Sequence, residues 1–158
     1  MFKRLYLLAS IIVSAIAAQC QYKIDVTING LANKEIYLAY YFGDKNYVID
    51  TAQLDARGNA CFNGEKKLDE GIYLVVLPSR AYFDIVIDKN PTFSLETDTS
   101  SDIRQLIQKL KIKNSPINLQ FRDYQAYMFD KTTEAHNLNV TLRDKTLDKK
   151  TRDKSLSQ

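Results

Sequence analysis

A chain of 158 residues, 45% of them apolar and 26% charged, has room for one domain of ordinary size plus a short appendage, and its composition excludes an intrinsically disordered protein. Its formal net charge is +3, falling to +1 once Lys3 and Arg4 are lost with the N-terminal segment, too little to supply the dense basic face that nucleic acid demands. Ten Tyr and seven Phe without a single Trp suit pleated, half-buried surfaces.

Residues 1–21 read as a secretory signal peptide. Lys3 and Arg4 supply a positive start, Leu5 to Ile16 an apolar run broken only by Ser10 and Ser14, and Ala15-Ile16-Ala17-Ala18 the small residues of a cleavage site. The run is too short for a comfortable membrane span. An exported protein is therefore expected, attached to a membrane only if the signal stays uncleaved or Cys20 carries a lipid. Ala17-Ala18-Gln19-Cys20 departs from a lipoprotein site because Gln19 stands where a small residue is needed.

Tyr22 to Asn29 alternates cleanly, Tyr22, Ile24, Val26 and Ile28 on one side and Lys23, Asp25, Thr27 and Asn29 on the other, which predicts a half-buried strand ending at Gly30. Glu35 to Phe42 has apolar or aromatic residues on both faces and is expected to be a central strand. Gly43-Asp44-Lys45-Asn46 and Asp55-Ala56-Arg57-Gly58-Asn59 have turn chemistry and bound a third strand, Tyr47 to Gln53. Further strands are predicted over Ala60 to Asn63, Ile72 to Leu77, Tyr82 to Ile87 and Thr92 to Thr97.

Seven strands at hairpin-like spacing, with no helix long enough to interleave them, predict a mainly β protein: an antiparallel β-sandwich over 22–113. Ile103, Leu106, Ile107 and Leu110 recur at helical spacing, while Leu110 and Ile112 also alternate as a strand, so both conformations stay open there. Ser115-Pro116 is a helix start. Ile117, Phe121, Tyr124 and Met128 then step by four, three and four along one face, predicting an amphipathic helix over 114–142 that packs on the sandwich. From Arg143 to Gln158 six basic and three acidic residues leave almost nothing to bury, and a disordered tail is expected.

Candidate chemistry is sparse. His136 stands without a second imidazole or a nearby Cys, so neither a metal site nor a Ser-His hydrolase is indicated. The glycines form no phosphate loop, and the aspartates Asp50, Asp55, Asp84 and Asp88 form no spaced calcium loop. Nothing selects two of them as an acid–base pair, and Asp50 and Asp84 suit solvent-facing positions. There is no Cys-x-x-Cys. Cys61 in a short strand suits a small core hydrophobe, and an oxidising compartment permits a Cys20–Cys61 bridge. No cofactor or metal is called for. Tyr37, Tyr41 and Tyr47 are the candidate ligand-binding residues, since exposed tyrosines stack on sugars or hold a partner's backbone; two-sided packing within the sandwich is the competing role.

Glu35-Ile36-Tyr37-Leu38-Ala39-Tyr40-Tyr41, Val48-Ile49-Asp50-Thr51-Ala52, Asp55-Ala56-Arg57-Gly58-Asn59 and Gly71-Ile72-Tyr73-Leu74, continued by Ser94-Leu95-Glu96-Thr97-Asp98-Thr99 and Phe121-Arg122-Asp123-Tyr124-Gln125, resemble an N-terminal domain family of unknown function. That family precedes thioredoxin-like thiol-disulfide oxidoreductase domains in envelope proteins of some Gram-negative bacteria. The resemblance runs from about Tyr22 to Met128. It implies a non-catalytic accessory or interaction domain, located in the periplasm or cell envelope, whose partner is a thioredoxin-like redox protein. It transfers no catalytic residue. Two departures stand out: Cys61 replaces an expected apolar residue, and the chain stops where a helical linker would continue, so a truncated gene product, a fragment of a longer protein and a stand-alone relative are all open. The alternative is a sandwich that binds a small ligand or glycan through its strand tyrosines.

Overall fold

Tyr22, Ile24, Val26 and Ile28 turn inward together, and the rest of the domain is built round them. The computed structural model describes residues 20–100 and 102–143. Almost all of the expected signal peptide and the expected tail beyond Arg143 lie outside the described residues.

Eight strands form two four-stranded sheets: β1 Tyr22–Asn29, β2 Glu35–Phe42, β3 Lys45–Gln53, β4 Asn59–Gly64, β5 Gly71–Val76, β6 Tyr82–Ile87, β7 Thr92–Asp98 and β8 Lys111–Lys113. Sheet A has the order β4-β1-β7-β8 and sheet B the order β3-β2-β5-β6. Every pairing is antiparallel except β1 with β7, which is parallel and in register from Lys23↔Thr92 to Asn29↔Asp98. The expected sandwich is therefore mostly antiparallel, with a parallel seam at the centre of sheet A. The ambiguous stretch before Ser115 is both things in turn: helix α1, Ile103–Lys109, capped by the Asp102 side chain, then β8.

Between the sheets lies one apolar core. Sheet A contributes Ile24, Val26, Ile28, Phe62, Phe93, Leu95 and Ile112, and sheet B contributes Ile36, Leu38, Val75, Phe83, Ile85 and Ile87. Leu106, Ile107 and Leu110 add to it, and the buried Thr97 hydroxyl donates to the Leu106 carbonyl at 3.0 Å. Cys61 is not part of this core. It pairs with Asp25 on β1, on the side opposite the buried Phe62, and is only half-buried, because strand alternation sends the two neighbours to opposite faces.

Helix α2, Pro116–Arg143, packs against α1, β6 and β8. No described helix is long and apolar enough to cross a membrane. The packing face is not the one that apolar spacing predicts: Asn118 is buried, Leu119, Ala126 and Phe129 are partly buried against the core, while Ile117, Tyr124 and Met128 are exposed. The reason is polar. Sheet B ends at β6, and the Asn118 amide pairs with its free edge like a further strand, accepting from the Val86 N–H at 2.7 Å and donating to the Val86 carbonyl at 2.8 Å. Arg122 similarly donates to the Leu110 carbonyl at 2.9 Å. Asn118→Ala is expected to cost about 1–3 kcal/mol, since it strips both partners from a buried amide position. Urea unfolding checks this, and the Val86 amide should lose hydrogen-exchange protection along with the stability.

Candidate functional site

Sheet B carries aromatic residues on both of its faces, and alternation sorts them. In β2, Ile36, Leu38, Tyr40 and Phe42 point to the core side, and Tyr37, Ala39 and Tyr41 to the outer side. Register extends the core-side row across three strands, Tyr73 on β5 opposite Tyr40 and Tyr40 opposite Tyr47 on β3. Tyr40 and Tyr47 stack with ring centroids 5.8 Å apart, Tyr40 and Tyr73 lie 6.2 Å apart, and Phe42 meets Tyr47 edge-on at 6.1 Å. A bulge between Leu38 and Ala39, where Ile49 is the unpaired residue of β3, sets this pairing.

Tyr40, Phe42 and Tyr73 of this group line a cleft of about 600 Å³. Tyr22, Tyr40, Phe42, Ile49 and Tyr73 form its aromatic and apolar wall, and the β4–β5 loop with Lys66, Lys67, Asp69 and Glu70 forms the other side. Two hydrogen bonds tie the wall down: Tyr22 Oη donates to Asp50 Oδ2 at 2.8 Å, and Tyr73 Oη donates to the Asp69 carbonyl at 2.9 Å. Burial, with Asp50 beside it, pushes the Tyr22 hydroxyl well above the usual phenol range, so it stays a donor.

A second cluster lies on the outer face of sheet B. Tyr41 Oη donates to Asp84 Oδ1 at 3.0 Å. Tyr41 is on β2 and Asp84 on β6 with β5 between them, two strand spacings of roughly 4.8 Å each, so the Tyr41 side chain lies across β5. Beneath it are Leu74 and Ala39, buried although they face away from the main core. Gln125 of α2 reaches Asp84 Oδ2 through Nε2 at 3.5 Å, and its own Oε1 is buried without a partner.

Burial raises the Asp84 carboxyl above its ordinary range, and the Tyr41 hydroxyl lowers it only in part. The groups facing it are Tyr41 from β2 and Gln125 from α2, with Tyr82 of β6 beside Tyr41; none is a cation. A raised folded-state value means that the group's stabilising contribution is complete below the unfolded carboxylate value, about 3.9, and is lost as pH rises through the folded value. Asn in its place can still accept from Tyr41. Asp84→Asn is therefore expected to gain stability over the parent chain as pH rises from about 4 to 7. Urea midpoints at several pH values test it; a variant equally weakened at every pH would contradict it.

Of the three tyrosines singled out by sequence, Tyr37 and Tyr41 share the outer face, and Tyr47 lies on the core side of the same sheet. Tyr37 Oη donates to Glu35 Oε2 at 3.0 Å. Tyr41 alone of the three borders the cleft. Tyr40 belongs to the same strand tyrosine group, and the alternation of β2 places it with Phe42 on the core side beyond Leu38; Tyr22 and Tyr73 join the wall only through strand pairing. Asp50 and Asp84 face opposite sides of sheet B, Asp50 paired with Leu38 and Asp84 with Leu74, so they cannot flank one substrate. His136 is exposed on α2. Among the described residues no three His, Cys, Asp or Glu side chains gather in a metal-holding group.

Cys20 and Cys61 are free thiols. The Cys20 thiol turns back to donate to the Tyr22 carbonyl at 2.6 Å, and Cys61 sits opposite Asp25, further along the ladder from the Tyr22–Gly64 pair. The bridge permitted by compartment is not made. Burial and the neighbouring Asp25 push the Cys61 thiol up, away from nucleophilic reactivity.

A family model described as Domain of unknown function (DUF4369) matches residues 22–121, from the first residue of β1 into the second turn of α2. No curated protein matches the chain.

Proposed function

This chain belongs to the family of domains of unknown function DUF4369, and on that footing we propose that it is a non-catalytic, exported interaction module. It would hold a protein partner in the periplasm or cell envelope, and by the resemblance of its strand sequences that partner is a thioredoxin-like redox protein. The observation that carries the reading is the apolar surface gathered round the β2–β3 hairpin. Phe42 is 68% and Val48 59% exposed; Phe42 and Tyr47 are exposed on the core-side face of this end of sheet B, Tyr41, Val48 and Ile72 on its outer face, and Ile49 at the bulge between them. Large apolar side chains clustered in solvent mark contact surfaces. The raised Cys61 thiol and the separation of Asp50 from Asp84 support a role without turnover.

Titration of the mature chain against a purified envelope thioredoxin-like protein is the test. Saturable binding that is lost in a Phe42→Ser, Val48→Ser double variant of unchanged circular dichroism is expected. Reduction of insulin disulfides by the isolated chain, or binding indifferent to the double variant, would defeat the reading.

The tyrosine-lined cleft favours a second reading, a small-ligand or glycan site, since aromatic walls stack on sugar rings. Tyrosine fluorescence unmoved across a panel of glycans would count against it.

A further inference from the structure

We propose that the outer face of sheet B around Asp84 is a receptor for one cationic side chain, an arginine, of a protein partner. The proposal rests on the reading of this end of the chain as an interaction surface and names the chemistry of one contact within it.

Asp84 differs from the acids that are ion-paired. Asp25, Asp55, Glu96, Asp98, Asp123 and Glu134 each have a Lys or Arg partner. Those pairs are mostly open to solvent, where an unpaired carboxylate would lose little. Asp84 is partly withdrawn from water and has no cation partner among the described residues. Its donors are neutral, and one is weak: Tyr41 at 3.0 Å, and Gln125 at 3.5 Å with its own Oε1 left unsatisfied. A partly desolvated charge with incomplete compensation is where an incoming cation gains most.

The surroundings select the kind of cation. Tyr41 is 45% and Tyr82 40% exposed, and they belong to the strands on either side of β5. A guanidinium stacks on aromatic rings while its N–H groups reach a carboxylate, which a strongly hydrated ammonium does less well. Among the described residues no metal-holding group of acids surrounds Asp84, and the charge complement that fits one carboxylate beside two aromatic rings is an organic cation. Val48 and Ile72, both exposed, share this outer face by register, Val48 opposite Ala39 and Ile72 two residues before Leu74 on β5, so the carboxylate has exposed apolar neighbours on its own face. An arginine set among apolar residues on a partner would meet both at once.

Isotope-labelled mature chain titrated with N-acetyl-argininamide, N-acetyl-lysinamide and N-acetyl-citrullinamide provides the test, read by nuclear magnetic resonance. Saturable shifts centred on Tyr41, Tyr82 and Asp84 are expected with argininamide. Citrullinamide, alike in shape but uncharged, should bind about fivefold or more weakly, and Asp84→Asn should weaken argininamide by a similar factor. Tyr82→Leu, which leaves the carboxylate in place, should weaken argininamide more than lysinamide. Equal shifts with citrullinamide, an undiminished response in Asp84→Asn, shifts centred instead on Asp69 and Glu70, or no saturable shift would each overturn the proposal. Partner binding that is abolished by the Phe42→Ser, Val48→Ser variant yet untouched by Asp84→Asn would overturn it too, while leaving the interaction module standing.

Discussion

Replacing Phe83 with Ala is expected to remove about 3–5 kcal/mol of folding stability, the range for emptying a fully buried phenylalanine site. Phe83 is 0% exposed and sits opposite Val75 in sheet B, facing the side chains of sheet A. Its neighbours are strand residues held by ladders on both sheets, so the walls of the cavity cannot collapse inward. For a domain of this size the loss corresponds to a fall in Tm of roughly 12 °C or more. Calorimetry on the mature chain measures it. Phe83 also lies between Tyr82 and Asp84 on β6, so the same variant should disturb the outer-face cluster, visible as altered Tyr41 and Tyr82 resonances. A drop below about 1.5 kcal/mol would mean that the two sheets are less closely packed than these burial values require.

Gly58→Ala is expected to be nearly as severe, for a backbone reason. Gly58 closes the turn between β3 and β4 at φ +83°, in the left-handed region, and a Cβ there would collide with the Ile28 carbonyl oxygen and lie 2.7 Å from that of Leu31. Both obstacles are main chain and neither can swing away. The Gly58 carbonyl in turn accepts from the Ile28 N–H at 2.8 Å, so retreat of the turn breaks a bond at the end of the central strand β1. Left-handed backbone costs an L-residue about 1–2 kcal/mol, and overpacking adds about 1–3, for roughly 2–5 kcal/mol in all. Urea unfolding checks the size. Gly43 supplies a control: it is also at positive φ, +63°, but a Cβ there meets nothing within 4 Å, so Gly43→Ala should show the conformational cost alone.

How far the fold could be read in advance depended on which groups carry the information. β1, β2 and β6 fall at the predicted residues, β1 because strict alternation up to Gly30 leaves no competing register and β2 and β6 because short apolar runs are bounded by turn residues. β3 begins two residues early, at Lys45, because the turn needs only Gly43 and Asp44. The parallel pairing of β1 with β7 was not legible. Hairpin spacing speaks only of neighbours in sequence, whereas these two strands are separated by all of sheet B. The face of α2 was misread for a related reason. Ile117, Phe121, Tyr124 and Met128 make a regular apolar stripe, but the helix is docked by Asn118 and Arg122, whose partners are backbone groups of Val86 and Leu110. A periodicity that counts apolar residues cannot register a polar side chain that is buried because it completes a sheet edge.

The candidate site divides in the same way. That this protein is rich in strand tyrosines, has an isolated histidine and lacks a paired-cysteine motif follows from the order of residues alone, as does the alternation that sends Tyr40 and Tyr41 to opposite faces. Which tyrosines meet one another and why Asp84 is half-withdrawn from water follow from the pairing of strands distant in the chain and from the path of α2 across β6. Side-chain period is a local property of an extended backbone, set residue by residue. Register and burial arise only when two sheets and a helix compete to cover the same apolar surface, and that competition has no counterpart in any short stretch of sequence.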